Sequence, residues 1–296
     1  MSAADVRGGG HATDLTPRPG DARLARLSLN QKTTPRWTVA EAVEGCVRAG
    51  LPAIGLWREP VQEAGAVTTA RMVTDAGLRV SSLCRGGFVT AADPRHWSRA
   101  LDDNRRALEE AASLATDCLV MVVGGLPEGS RDLTGARSRV ADAIAVLAPY
   151  AEECGVRLAL EPMHPIYCAD RGVLCTLGQA LDLAERFPPE QVGVVVDSFH
   201  VWWDPEILSQ VARAEGRICS FQVGDWITPL PADTLLSRGM IGDGHIDFAM
   251  LRRAVDAAGY HGDIEVEIFN ADVWAADPDE VVVTLARRYV SHVLGD

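Results

Sequence analysis

The run VGVVVD at 192–197 decides the fold of this 296-residue chain. It is too short for a helix and too evenly apolar for a strand with one wet face. Such a run reads as a parallel strand buried on both sides. Asp197 closes it, and a carboxylate at the end of a buried strand is costly unless something pairs with it. The pattern recurs on either side in VRLALE (156–161), RICSFQV (217–223) and DIEVEIF (263–269). Glu161, Gln222 and Glu267 thus stand at or near the ends of three more strands.

Further upstream, LARLSLN (24–30), PAIGLW (52–57), LRVSSLC (78–84) and CLVMVV (118–123) supply four more runs. Helical patterns separate them. Thr38 with Glu41 forms a capping box, Val39, Val43, Cys46 and Val47 form an apolar stripe, and Gly50 stops the helix. Helices are expected near 63–76, 97–115 and 133–154, with Pro149 bending or breaking the last one late. Others follow Thr176 with its partner Gln179, open at Asp204–Pro205, cover 248–259, and open at Asp277–Pro278. Eight strand–helix units in order predict an α/β protein, a single (β/α)8 TIM barrel over 23–296. A doubly wound open sheet is the alternative, but no Gly-x-Gly-x-x-Gly follows the first strand. Residues 1–22, rich in Gly, Pro and small polar residues, read as a flexible N-terminal extension. His11 lies there, and no role is expected of it.

Apolar residues make up 47% of the chain, enough for a large core, and the net charge is −13. That balance argues against nucleic acid and anionic membranes as partners, because phosphate binding needs clustered Lys and Arg. The seven cysteines are scattered, odd in number and mostly within apolar segments. They read as reduced core residues of a cytoplasmic protein. No apolar run reaches a membrane-spanning length, and no secretory h-region is seen at the N-terminus.

In a barrel of this kind the site lies at the C-terminal ends of the strands. The polar residues concentrate on strands five to eight. Three carboxylates and an amide, Glu161, Asp197, Gln222 and Glu267, form an all-oxygen set. It suits one divalent cation, Mn2+ first, with Mg2+ or Co2+ as alternatives. The competing explanation is that each acid caps a helix or pairs with an arginine. Glu265 competes with Glu267, since residues two apart on a strand face the same side.

The segments LEPMHP, VVDSFHVWWDP, FQVGDW, RGMIGDGHIDF and EVEIFN, with LCRGG at the end of strand three, resemble the sugar phosphate isomerase/epimerase superfamily of xylose-isomerase-like barrels. The resemblance covers nearly all of the chain after residue 23. It implies metal ligands at Glu161, Asp197, Gln222 and Glu267. Many epimerases carry His at the third place, and the Gln here is shared with hydroxypyruvate isomerases and dehydroshikimate dehydratases. The family's Asp-x-x-His histidine falls on His200, for substrate contact or proton transfer. Its arginine after strand seven falls on Arg238, for substrate oxygens.

His164, after Glu161, is a further candidate contact, although Pro165 restricts the local path. Arg85 can reach the pocket beside Gly86–Gly87. Lys32 is a weaker candidate for an anionic group. Trp57, Trp202, Trp203, Trp226 and Trp274 are expected near the mouth, where aromatic faces pack on sugar rings; two or three of them should touch the substrate, Trp57, Trp203 and Trp226 first.

The activity these residues imply is isomerisation or epimerisation of a keto-sugar or related polyol through a metal-stabilised enediolate. Glu161 and Glu267 serve as the acid/base pair and His200 assists. The alternative is a lyase or dehydratase acting on a keto-cyclitol, a dehydroshikimate-like compound or a 3-keto-glycoside through the same enolate. A DNA repair endonuclease on this barrel would need extra histidines at strands two to four, which are not there. A metal-free binding protein is the non-enzyme alternative. No Gly-rich phosphate cradle follows strands seven and eight, which favours an unphosphorylated substrate. Relatives suggest a homodimer or homotetramer.

Overall fold

A computed structural model describes residues 17–295. His11 and the expected extension up to residue 16 lie outside the described residues. The strands are β1 (Leu27–Asn30), β2 (Ala53–Trp57), β3 (Arg79–Gly87), β4 (Cys118–Val122), β5 (Arg157–Leu160), β6 (Val192–Asp197), β7 (Ile218–Val223), β8 (Asp225–Trp226), β9 (Arg238–Gly239) and β10 (Ile264–Val266). Strands β1 to β7 and β10 close into a parallel barrel, with β10 between β7 and β1. The short β8 and β9 pair antiparallel as a ribbon above it.

Helix signals act as expected at most ends. Thr38 and Glu41 make a reciprocal capping box at the start of Val39–Ala49, and Gly50 ends that helix at φ 71°. Four expectations change. The helix Leu133–Cys154 runs unbroken through Pro149. Pro149 and Ala145, whose carbonyl loses its partner, are both exposed, so water can satisfy the freed group. The segment near 63–76 is two helices, Arg58–Ala64 and Ala66–Asp75, parted by Gly65 at φ 85°. Asp204 does not cap the helix directly: its carboxylate accepts from Glu206 N–H, and the helix begins at Ile207. The last barrel strand stops at Val266, because Ile268 N–H turns to Thr33 Oγ1 at 3.0 Å instead of a neighbouring strand.

The main core lies between barrel and helices. A smaller one fills the barrel with Cys84, Cys118, Val120, Ala159, Val195 and Cys219. Their small volumes leave room inside the barrel for a layer of polar groups. Glu265 is fully buried there. It accepts from Asn30 Nδ2 (2.5 Å), Ser81 Oγ (2.7 Å), Ser82 Oγ (2.8 Å) and Gln222 Nε2 (3.3 Å). A register shift between β2 and β3 leaves Ser81 unmatched and brings both serine hydroxyls to one carboxylate. Gly55 makes the space: a Cβ there would lie 2.4 Å from the Glu265 carboxyl carbon. No helix among the described residues is long and apolar enough to cross a membrane.

Candidate active site

Glu161, Asp197, Gln222 and Glu267 gather at the C-terminal mouth of the barrel. Asp197 lies in register with Gln222 across β6 and β7. It also caps the short helical turn Ser198–Val201, its Oδ1 accepting from Phe199 N–H at 2.9 Å. That turn brings His200 back over the strand end, with Nε2 3.8 Å from Asp197 Oδ2. Ligand atoms of Glu161, Asp197 and His200 all lie within 4.8 Å of one another, a spacing that could hold a metal ion.

Arg238 enters from β9. Its Nη2 lies 2.7 Å from Asp197 Oδ2, 2.9 Å from Glu267 Oε2 and 3.2 Å from His200 Nε2. Its guanidinium stacks 4.7 Å from the centre of the Phe199 ring. The ribbon that carries it is fixed by Asp225, whose carboxylate accepts backbone N–H bonds from Trp226, Gly242, Gly244 and Ile246 at 2.8–3.1 Å. Asp225 therefore organises the loop backbone and touches none of the four strand-end groups through a hydrogen bond.

Burial dominates the electrostatics. The Glu161 carboxyl is pushed well above its ordinary range by burial, then by the negative charges of Asp197 and Glu267. Glu267 is pushed up to about 8 by burial, which outweighs the opposing pull of Arg238. His200 is held well below the usual imidazole range by burial and then by Arg238, so it is neutral. Its Nδ1 accepts from the backbone N–H of His164 at 3.2 Å, which assigns the ring proton to Nε2. Nε2–H and the Arg238 guanidinium are then two donors 3.2 Å apart; Asp197 Oδ2 accepts from the guanidinium at 2.7 Å and lies 3.8 Å from Nε2.

Two features fit this donor set to a divalent cation. Gln222 is fully buried, its Nε2 is held by Glu265, and its Oε1 has no partner. The Glu161 carboxylate is 4% exposed and accepts no hydrogen bond among the described residues. A buried oxygen left as Gln222 Oε1 is costly without a partner, and Glu161 borders the cavity from which a cation could reach both. The four donors of Glu265 commit it to the barrel interior, whereas Glu267 faces the cavity.

A cavity of about 190 Å3 opens above these groups, lined in part by Glu161, Glu267, His200, Arg238, Arg85 and Trp57. Trp57 packs edge-on to Phe269 and donates from Nε1 to Asn30 Oδ1 at 2.9 Å. His164, Trp203 and Trp226 are grouped together but stand behind this lining: the His164 ring lies 5.6 Å from Trp203 and 4.6 Å from Trp226. Burial holds the His164 imidazole down to about 4. Arg171 and Tyr167 also line the cavity. They come from the irregular stretch after β5, where no periodicity or motif marks them. A larger cleft of about 600 Å3 lies at the opposite, N-terminal face. Its charged residues are already paired, Arg79 with Asp263 and Arg157 with Asp117.

Residues 41–289 match the xylose isomerase-like TIM barrel family. The chain belongs to that family. A crystallised protein of Sinorhizobium meliloti 1021 is 46% identical, with a TM-score of 0.89, over 92% of this chain and 100% of that one. L-ribulose 3-epimerase of Mesorhizobium japonicum is 26% identical over 69% of this chain and 66% of its own length. 3-dehydroshikimate dehydratase of Pseudomonas aeruginosa is 26% identical over 81% of this chain and 37% of its own length. The chain thus spans less than two thirds of these two curated relatives. The relatives of this barrel thus include epimerases, isomerases and dehydratases, and its own residues include a possible metal-ligand group.

Proposed function

We propose that the protein is a divalent-metal-dependent isomerase or epimerase of a keto-sugar or related polyol. The observation that carries the reading is Gln222 Oε1, buried at a strand end without a partner beside the Asp197 carboxylate. Glu161, Asp197, Gln222 and Glu267 would hold the ion, with manganese the first choice for an oxygen set. When bound, such an ion supplies Lewis acidity toward a substrate carbonyl and makes the neighbouring C–H more acidic.

The remaining chemistry belongs to the side chains. A Glu161 Oε removes the proton beside the carbonyl, and a Glu267 Oε returns one, so one C–H bond breaks and one forms. Both carboxylates border the cavity in which the substrate carbon would lie. His200 borders the cavity and its Nε2–H is placed to donate to a substrate oxygen, while Arg238 Nη2 holds Asp197 and Glu267. Trp57 and Phe269 give an apolar wall for a sugar ring and exclude water.

Glu161→Gln and Glu267→Gln test the assignment. Each should abolish solvent deuterium exchange at the substrate α carbon, and full exchange in both variants would sink the acid/base pair. A second reading, a lyase or dehydratase, is favoured by one observation: the dehydratase relative matches 81% of this chain. Product mass separates the two, because isomerisation leaves it unchanged and dehydration removes one water.

A further inference from the structure

Four cations line the cavity, Lys32, Arg85, Arg171 and Arg238, against two acids, Glu161 and Glu267. This is unexpected in a chain of net charge −13. Arg238 is accounted for by Asp197 and Glu267. A divalent ion among the three carboxylates, together with that guanidinium, leaves the floor neutral. The other three cations therefore have no counter-charge from the floor.

Nor do they find one at the rim. Among the described residues, Lys32 and Arg85 make no ion pair. Lys32 Nζ lies 4.9 Å from the Trp57 ring centre, and Arg85 Cζ 4.2 Å from that of Phe88. Aromatic faces hold a cation in place without neutralising it. Arg171 has only a loose contact, Nε to Asp170 Oδ2 at 3.6 Å, on an aspartate side chain that is 62% exposed. The three side chains come from separate segments, after β1, at the end of β3 and after β5, and are half-buried around one opening. Low-dielectric walls around such a ring focus its potential into the cavity.

We propose that the substrate carries an anionic group, a carboxylate or a phosphate, at the end remote from the reacting carbonyl, and that Lys32, Arg85 and Arg171 bind it. This rests on the keto-sugar reading above for the reacting end. The modest cavity and the missing phosphate cradle favour the carboxylate. Lys32 and Arg171 act by charge, whereas Arg85 also offers the planar fork that matches two oxygens.

The test uses the full chain with Mn2+ and three probes that share one ketose head: D-fructose, D-fructuronate and D-fructose 6-phosphate. Titration calorimetry should show at least one anion binding about tenfold or more tighter than fructose. That ratio should shrink with added salt and in the Lys32→Gln/Arg171→Gln double variant. Tighter fructuronate assigns a carboxylate, and tighter fructose 6-phosphate assigns a phosphate. Fructose binding as well as both anions, no binding of any probe, or a ratio indifferent to salt and to the substitutions would overturn the proposal. Mn2+ binding is titrated on the same samples. An anion preference without ion binding defeats the metal-dependent reading and leaves this one standing. Ion binding without an anion preference does the reverse.

Discussion

Glu267→Gln should stabilise the ion-free protein while removing its capacity to bind a metal. The Glu267 carboxyl, 4% exposed, is pushed from an ordinary value of 4.5 up to about 8. Between these values the folded state holds a proton that the unfolded state has released. Stability therefore falls as pH rises through this window, since the slope follows protons bound unfolded minus protons bound folded. Gln mimics the protonated acid at every pH and escapes the penalty. From pH 4.5 to pH 7 the cost to the parent protein accrues at about 1.36 kcal/mol per unit, or about 3 kcal/mol in all. Urea unfolding with a chelator, run at several pH values, measures it. Parent and variant should agree at and below pH 4.5 and diverge by about 3 kcal/mol at pH 7, with the variant more stable. A gap independent of pH, or one that favours the parent as pH rises, would refute the argument.

The same protons bear on ion binding. Mn2+ must displace them from Glu161 and Glu267, so its affinity should rise with pH; calorimetry in buffers of different ionisation enthalpy should show proton release near pH 7, and pH-independent affinity would contradict it. Arg238→Met takes the guanidinium from Asp197 and Glu267 and should destabilise the ion-free protein by about 3–5 kcal/mol where both acids are ionised, with Mn2+ restoring more stability to the variant than it adds to the parent. Gly55→Ala would press a methyl group onto the Glu265 carboxyl, costing about 1–3 kcal/mol in unfolding free energy and weakening Mn2+ binding through the displaced Gln222 amide.

The barrel was legible because strands buried on both faces carry nearly unbroken apolar runs, and eight of them alternate with capped helices. The strand-end acids were legible for the complementary reason, since VVVD and LALE place charge where the pattern forbids it. Three things were not legible. Pro149 breaks no helix because the freed carbonyl faces water, an exposure that periodicity alone does not reveal. Trp203 and Trp226 sit near the mouth in sequence, yet the turn after β6 and the β8–β9 ribbon carry them against His164 and outside the cavity lining. Arg171 lies in an irregular loop, and its approach depends on how that loop folds back over β4, through the Gly124–Gly172 bridge.

Glu265 and Glu161 show why an acid at a strand end is not by itself a sign of function. Both are buried carboxylates of the same barrel, and burial raises the proton affinity of both. Glu265 is met by four donors from Asn30, Ser81, Ser82 and Gln222, and a glycine opposite it leaves space for the carboxyl. A carboxylate so enclosed is part of the framework, and the amide it holds turns Gln222 Oε1 away from it. Glu161 accepts no side-chain hydrogen bond among the described residues and lines the cavity. Asp197 stands between these cases, with one oxygen spent on capping a turn and the other on Arg238. Satisfaction thus falls from the barrel interior toward the cavity, while the acidic groups are kept. A fold under selection for stability alone would reverse that gradient, because the least satisfied charges cost most. The gradient makes sense if the missing partner at the cavity is a cation that arrives after folding.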